Sequence, residues 1–117
     1  MSRSLCLTRH CLGLVTRIEC VIRPLAGETG RWTLLCAAGM SDAQPSAIKV
    51  QGPFYGPFVA EDVLAGIAES LALQGYVECC EPPIWRLHLL AELRRVNGEG
   101  HGHGRSFQRR PETDGQS

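Results

Sequence analysis

The sequence has no net charge, no long apolar run and a single lysine. Twelve Lys and Arg residues balance twelve Asp and Glu residues, so no overall field attracts nucleic acid or an acidic membrane surface. No segment approaches the ~20 apolar residues of a membrane-spanning helix, and we therefore expect no transmembrane segment. Lys49 is the single lysine, and the abundance of arginine, glycine and alanine is typical of a bacterial genome rich in G and C.

No secretion signal is expected. The leucines near the start of the chain are interrupted by Arg9 and His10, so they do not form the uninterrupted apolar core of a signal peptide. We therefore expect a cytoplasmic protein.

The six cysteines contain no Cys-x-x-Cys pair, the spacing with which zinc knuckles and redox helices bring two sulfurs together. In a cytoplasmic chain we expect them to be reduced and to pack as small hydrophobes. His101 and His103 offer only two ligands where structural zinc takes about four. The sequence thus predicts no metal site and no cofactor.

The 117 residues suit one domain with one core. Glycine, histidine, arginine and acidic residues dominate from residue 98 onward without apolar periodicity, which predicts a disordered tail over 98–117. Residues 1–12 are expected to be flexible. The predicted domain is therefore 13–97.

Strict alternation predicts a β-hairpin over residues 15–37, with a turn at 25–30. Its buried face is expected to comprise Ile18, Cys20, Ile22, Trp32, Leu34 and Cys36, and its wet face to carry Arg17, Glu19, Arg23 and Arg31. A third strand is predicted over 47–51, with Ile48 and Val50 inward, because Gly52-Pro53 interrupts strand pairing.

A first helix is predicted over 57–74. Gly56 serves as N-cap, Pro57 stands at the first helical position and Gly75 ends the helix. Tyr76 to Cys80 is predicted to form a fourth strand. If it pairs in parallel with the strand before the helix, the crossover should be right-handed.

The stretch from Gly56-Pro57-Phe58 to Gly75-Tyr76 resembles one half of the SPOR domain, a βαβ peptidoglycan-binding fold. The resemblance implies a strand-helix-strand unit. It covers residues 56–76 without a second half-repeat, so the glycan-binding function is not carried over.

The second helix is predicted over 83–97, and its apolar arc is unusually wide. Either the helix is wedged inside the monomer or it meets a partner. The stripe assigned to a protein interface consists of Trp85, Leu89, Leu93 and Val96. His88 and Glu92, one turn apart, form a surface pair in our interpretation, with a general base as the alternative.

Two other sites are considered. Phe54, Tyr55 and Phe58, together with the strand residues Cys79 and Cys80, are candidates for a small-ligand pocket, and the alternative is that the rings cap the core. The arginines of the hairpin form a candidate nucleic-acid strip, although acidic neighbours weaken it.

The sequence therefore predicts an α+β fold in the order β-β-β-α-β-α. A small, mostly antiparallel sheet is expected to carry both helices on one face. The expected function is a non-catalytic interaction or regulatory module that self-associates or docks on another protein through the second helix. A small-ligand binder or minor enzyme, and a weak nucleic-acid binder, are the alternatives.

Overall fold

The computed structural model describes residues 3–27, 30–79 and 82–102 and confirms an α+β fold. The five strands are β1 Ser4–Cys11, β2 Leu14–Pro24, β3 Arg31–Met40, β4 Ala47–Tyr55 and β5 Val77–Glu78. Helix α1 spans Pro57–Leu73 and helix α2 spans Arg86–Gly102. The strands form one antiparallel sheet in the order β4-β3-β2-β1-β5. The predicted element order therefore lacked one strand at its start.

That strand, β1, lies where a flexible segment was predicted, and the prediction for 1–12 is wrong over Ser4–Cys11. β1 pairs with β2 from Ser4 opposite Val21 to Cys11 opposite Leu14. The two residues between them, Leu12 and Gly13, both have positive φ, 53° and 81°. Such a two-residue turn matches the twist of the strands it joins. Gly13 was the local signal for it.

Helix α1 ends in a Schellman motif. The N–H of Tyr76 donates to the C=O of Leu71 at 3.1 Å, and the N–H of Gly75 to the C=O of Ala72 at 3.1 Å. Gly75 has φ 96°, which an L side chain rarely adopts. The predicted helix and its glycine stop are confirmed to within one residue.

The two helices lie on opposite faces of the sheet, so the prediction of a single covered face is wrong. The α1 face has a core of Cys20, Ile22, Leu34, Ala60 and Leu64, with Ile18, Trp32 and Cys36 partly buried against it. The α2 face has a second core of Leu35, Ala37, Trp85 and Leu89, against which Ile48 and Val50 pack. The predicted buried face of the hairpin is confirmed as the α1 face. The expected wet face is covered by α2.

The end of β4 and the pairing of β5 also differ from expectation. Edge strand β4 continues past Gly52-Pro53 to Tyr55, because an irregularity in the β3–β4 register near Trp32 accommodates a residue without an N–H. β5 pairs with β1, at the opposite edge of the sheet from β4, so the two do not form the adjacent parallel pair of a strand-helix-strand unit.

Helix α2 begins three residues later than predicted and runs to Gly102 instead of 97. Asn97 therefore lies within the helix, and its side-chain oxygen accepts the N–H of Ala26 at 3.0 Å. Cys80 lies outside the described residues, and so does the part of the predicted tail after residue 102. No helix in the described part of the chain is long and apolar enough to cross a membrane.

Candidate functional site

A buried ion pair on β2 organises the α2 face. Arg17 and Glu19 are each about 2 % exposed, although the sequence placed both on a wet surface. Arg17 Nη1 donates to Glu19 Oε2 at 3.0 Å, and Arg17 Nε donates to Ser41 Oγ at 3.1 Å. Residues 17 and 19 point to the same face because side chains alternate along a strand. An arginine strip that includes Arg17 is therefore not available to nucleic acid.

Glu19 also holds the start of α2. Its Oε2 accepts the N–H of Ile84 at 2.8 Å, and its Oε1 accepts the N–H of Trp85 at 3.0 Å. The first N–H groups of a helix lack intrahelical partners, and a negative charge there is favourable. The C=O of Trp85 accepts the N–H of Leu89 at 3.0 Å, which is the first intrahelical bond of α2. Trp85 therefore takes the N-cap position, and the helix starts at Arg86.

Trp85 and Leu89 fill the core of the chain itself. Trp85 is 2 % exposed, and its indole N–H donates to the C=O of Ala43 at 2.9 Å. Leu89 is 3 % exposed, and Leu93 packs partly buried against the same cluster. The predicted interface stripe therefore lies against the sheet, and Val96 is half-buried. Of the two possibilities left open for the wide apolar arc, the structure places this stripe inside the monomer.

The aromatic residues of the predicted ligand pocket separate. Phe54 packs against the α1-face core, whereas Tyr55 and Phe58 are largely exposed. All three aromatic residues lie in β4 or just after it, at one edge of the sheet. Cys79, the described neighbour of Cys80, lies next to β5 at the other edge. Four strand spacings of roughly 4.8 Å separate those edges. These aromatic residues therefore do not form a joint pocket with Cys79, and Cys80 lies outside the described residues.

A cavity of about 430 Å³ does open beside Cys79, between β1, β2 and the start of α2. We call it the α2 groove. It forms where β5 stops after pairing with only Leu7 and Thr8, so that the first half of β1 has no full strand beside it. Its apolar wall includes Val21, Leu89 and Leu90.

Charged and sulfur-containing side chains complete the α2 groove. They are Cys6, Glu19, Cys20, Arg23, Glu78, Cys79 and Arg86. Arg23 Nε is buried and has no hydrogen-bond partner among the described residues. A buried donor without an acceptor costs about 1–3 kcal/mol. The Arg23 side chain, which lines the α2 groove, therefore keeps one buried donor unused.

Two of the thiols that line the groove, Cys6 and Cys79, lie next to each other. Arg17 Nη1 donates to Cys6 Sγ at 3.0 Å, and the N–H of Cys79 donates to the C=O of Cys6 at 2.9 Å. Burial raises the pKa of the Cys6 thiol to about 12, Arg17 opposes this effect, and contact with Cys79 adds to it. Sequence reasoning missed this pair because the two cysteines are far apart in the chain.

The remaining polar candidates do not combine into a relay. Glu92 pairs with Arg95 on the surface of α2, so the predicted pairing of His88 with Glu92 is not formed. A second cavity of about 500 Å³ is lined by His10, Ser41 and Asp42, all described residues, but no hydrogen bond joins these three. No group of three metal-ligating side chains occurs in the described segments.

Comparison with known proteins gives one family. Neither the curated proteins nor the solved structures contain a significant match. The model of the family described as "PA4575-like protein" matches residues 1–113. It spans every element of the fold, including β1 and the α2 groove. The chain therefore belongs to the PA4575-like protein family.

Proposed function

We propose that this protein is a non-catalytic binding module that holds a small anion with an apolar tail in the α2 groove. The observation that carries the proposal is the buried Nε of Arg23, which no acceptor among the described residues satisfies. The volume of about 430 Å³ falls within the range of roughly 300–1,000 Å³ typical of small-molecule sites. A ligand oxygen would supply the missing acceptor.

The charges around the groove favour an anion near Arg23. The carboxylate of Glu19 is already neutralised by Arg17 and occupied by two backbone N–H groups. Arg23 and Arg86 remain as cationic groups of the lining. Glu78 lies on β5 and Arg23 on β2, with β1 between them, so the acid and the cation stand on different sides of the site.

The apolar wall of the groove suits a ligand with an apolar tail. Val21 and Leu90 are partly buried and Leu89 is buried, and together they offer a hydrocarbon surface next to the cations. Binding sites of this size are mostly apolar, with a few polar groups that orient the ligand. A carboxylate on a short alkyl chain combines both requirements.

Titration calorimetry with octanoate and the neutral octanamide tests the proposal. Octanoate should bind saturably, and Arg23→Met should weaken it about tenfold or more, because a hydrogen bond to a charged group contributes about 1.5–3 kcal/mol. The affinity for octanamide should change little. Arg94→Met is the matched control, since Arg94 is exposed on α2 and outside the groove lining.

Two outcomes contradict the proposal. One is the absence of saturable binding of octanoate by the folded wild type. The other is an equal loss of affinity in Arg23→Met and Arg94→Met, which would indicate an effect of overall charge.

A second candidate is protein docking on the outer side of α2, and it rests on a different observation. Ile84 is 48 % and Leu87 is 77 % exposed, although the same helix buries Trp85 and Leu89. These residues replace the predicted stripe as the surface through which the chain would self-associate or meet another protein. In sedimentation, Leu87→Glu should dissociate a wild-type dimer, whereas Leu73→Glu, an exposed leucine of α1, should not. A wild type that stays monomeric at high concentration excludes self-association.

The proposal includes a bacterial cytoplasmic setting. The arginine-rich composition supports a bacterial source, and the thiol state of the described cysteines is compatible with a reducing compartment. Cell fractionation with a periplasmic marker enzyme as control measures the compartment. Recovery with the periplasmic marker would overturn this part.

A further inference from the structure

Cys6 and Cys79 stand directly opposite each other across adjacent backbone segments. The β1–β5 register pairs Thr8 with Val77 and Leu7 with Glu78, so its next step pairs Cys6 with Cys79. The hydrogen bond from the N–H of Cys79 to the C=O of Cys6, at 2.9 Å, continues that register. Opposed residues of an antiparallel pair project to the same face of the sheet. The two thiols are in contact, and this contact is one cause of the raised pKa of Cys6.

The spacing of such a pair suits a disulfide. Opposed Cα atoms in an antiparallel ladder lie about 4.5–5.5 Å apart. Disulfides span Cα separations of about 4.4–6.8 Å. The two sulfurs can therefore bond without a change of strand register.

A second pair in the same sheet provides an internal comparison. Cys20 and Cys36 are also directly opposed, on β2 and β3. They belong to the α1-face core, where Cys20 is 2 % exposed and Cys36 is partly buried. Cys6 and Cys79 both line the α2 groove and are both partly exposed, and Cys79 lines the second cavity as well. A reagent in solution can thus reach the Cys6–Cys79 pair in the folded protein.

We propose that Cys6 and Cys79 form a reversible thiol-disulfide site whose reactant is a small disulfide of the glutathione class. The Cys79 thiolate attacks one sulfur of the small disulfide, forming a mixed disulfide and releasing one small thiol. The Cys6 thiol then gives up its proton beside the Arg17 guanidinium, attacks the Cys79 sulfur and releases the second small thiol. Both protein protons pass to the released thiolates. The protein pair is oxidised by two electrons and the small disulfide is reduced by the same two.

The product links β5 covalently to β1, where only two register pairs hold it in the reduced form. It also involves the sulfur that accepts a hydrogen bond from Arg17, the partner of Glu19 at the start of α2. Oxidation of Cys6 is therefore linked to the start of α2 through two contacts, that of Cys6 with Arg17 and that of Arg17 with Glu19.

The full-length protein is equilibrated with oxidised glutathione, quenched in acid, alkylated and digested with trypsin. Trypsin cleavage after Arg3 and Arg9 and after Lys49 and Arg86 places Cys6 and Cys79 on separate peptides. The expected result is a linked pair of these peptides, with a mass about 2 Da below the sum of the reduced peptides. Dithiothreitol should remove the link. The unfolding midpoint should rise by several degrees on oxidation and return on reduction.

Cys80 is the matched control, because it is adjacent in sequence and lies on the same tryptic peptide as Cys79. The link should persist in Cys80→Ser and be lost in Cys79→Ser. Circular dichroism of both variants verifies folding, and fragmentation of the linked wild-type peptides identifies the bonded sulfur independently of either variant.

Three outcomes would overturn the inference. They are a link that requires Cys80 instead of Cys79, mixed glutathione disulfides that never proceed to an internal link, and oxidation of Cys20 with Cys36 before the Cys6–Cys79 pair. None of these readouts depends on octanoate binding, so failure here and failure of the ligand proposal are distinguishable.

Discussion

The carboxylate of Glu19 on β2 accepts the backbone N–H of Trp85 at 3.0 Å. A buried acid on the sheet thus holds the first turn of a helix that lies more than sixty residues later in the chain. The same carboxylate accepts Arg17 Nη1 and the N–H of Ile84. Three donors share its two oxygens, and these hydrogen bonds offset the cost of burying the carboxylate. Substitution of Glu19 should therefore be strongly destabilising.

Glu19→Gln should lower the free energy of unfolding by about 3–5 kcal/mol, because it leaves the Arg17 guanidinium buried without its counter-charge. Urea denaturation followed by circular dichroism measures the change. Glu92→Gln is the control, since Glu92 pairs with the exposed Arg95, and a surface pair contributes about 0–1 kcal/mol. Equal effects of the two substitutions would contradict the role given to Glu19.

Leu89→Glu should abolish cooperative unfolding or severely destabilise the fold, because it places an unpaired charge in the core between α2 and the sheet. Leu87→Glu, two positions away on the exposed side of the same helix, should change the free energy of unfolding by no more than about 0.5 kcal/mol. Thermal melts of both variants at one protein concentration measure this. A stable Leu89→Glu variant would show that α2 packs differently.

Gly75→Ala and Gly66→Ala should change stability in opposite directions. Gly75 has φ 96° in the Schellman motif, so alanine there should cost about 1 kcal/mol. Gly66 lies inside α1, and a Cβ added to it would meet open space, so alanine should stabilise by about 0.5–1 kcal/mol. Chemical denaturation of both variants gives the sign. A stabilised Gly75→Ala variant would exclude the left-handed position.

Stability should fall at alkaline pH in a way that depends on Cys6. Burial raises the pKa of the Cys6 thiol from 9.0 to about 12, Arg17 opposes the rise and contact with Cys79 supports it. Between these values the unfolded chain loses the proton and the folded chain keeps it. The contribution is therefore fully present below about pH 9 and is lost as pH rises toward 12.

Denaturation midpoints from pH 8 to 11 should accordingly fall less steeply in Cys6→Ser than in the wild type. A hydrogen bond to Cys36 and burial also raise the pKa of Cys20, so part of the alkaline loss should remain. Cys11→Ser is the control, because Cys11 is exposed at the hairpin end. Identical slopes in wild type and Cys6→Ser would contradict the assignment.

The local elements could be predicted where short-range signals agree. The hairpin face of Cys20, Ile22 and Leu34 follows from alternation, and α1 follows from Pro57 and Gly75. β1 was missed because Arg9 and His10 interrupt its apolar pattern, and pairing on both sides stabilises it instead. Strand order and the side on which each helix packs depend on contacts between distant residues, which periodicity does not encode.

One overlooked signal lies in β3. From Trp32 to Ala38 the strand is apolar at nearly every position, a pattern typical of strands covered on both faces. If both faces of β3 are covered, both faces of the neighbouring strand β2 are covered as well. Arg17 and Glu19, which alternate with Ile18 and Cys20 on β2, are then candidates for a buried ion pair. The α2 groove itself was beyond sequence reasoning, because its thiols and its arginine come from separate strands brought together by the fold.

The position of β5 at the far edge of the sheet has a consequence for the order of folding. β1 to β4 each pair with their neighbour along the chain, so the loops that must close are short. β5 instead pairs with the first strand, so a long stretch of chain must be closed into a loop. The entropy cost of closing this loop is offset only after α1 has packed across the sheet. A chain emerging from the ribosome can therefore complete four strands while Glu19 still faces water, and the docking of α2 over that carboxylate becomes the step that completes the domain.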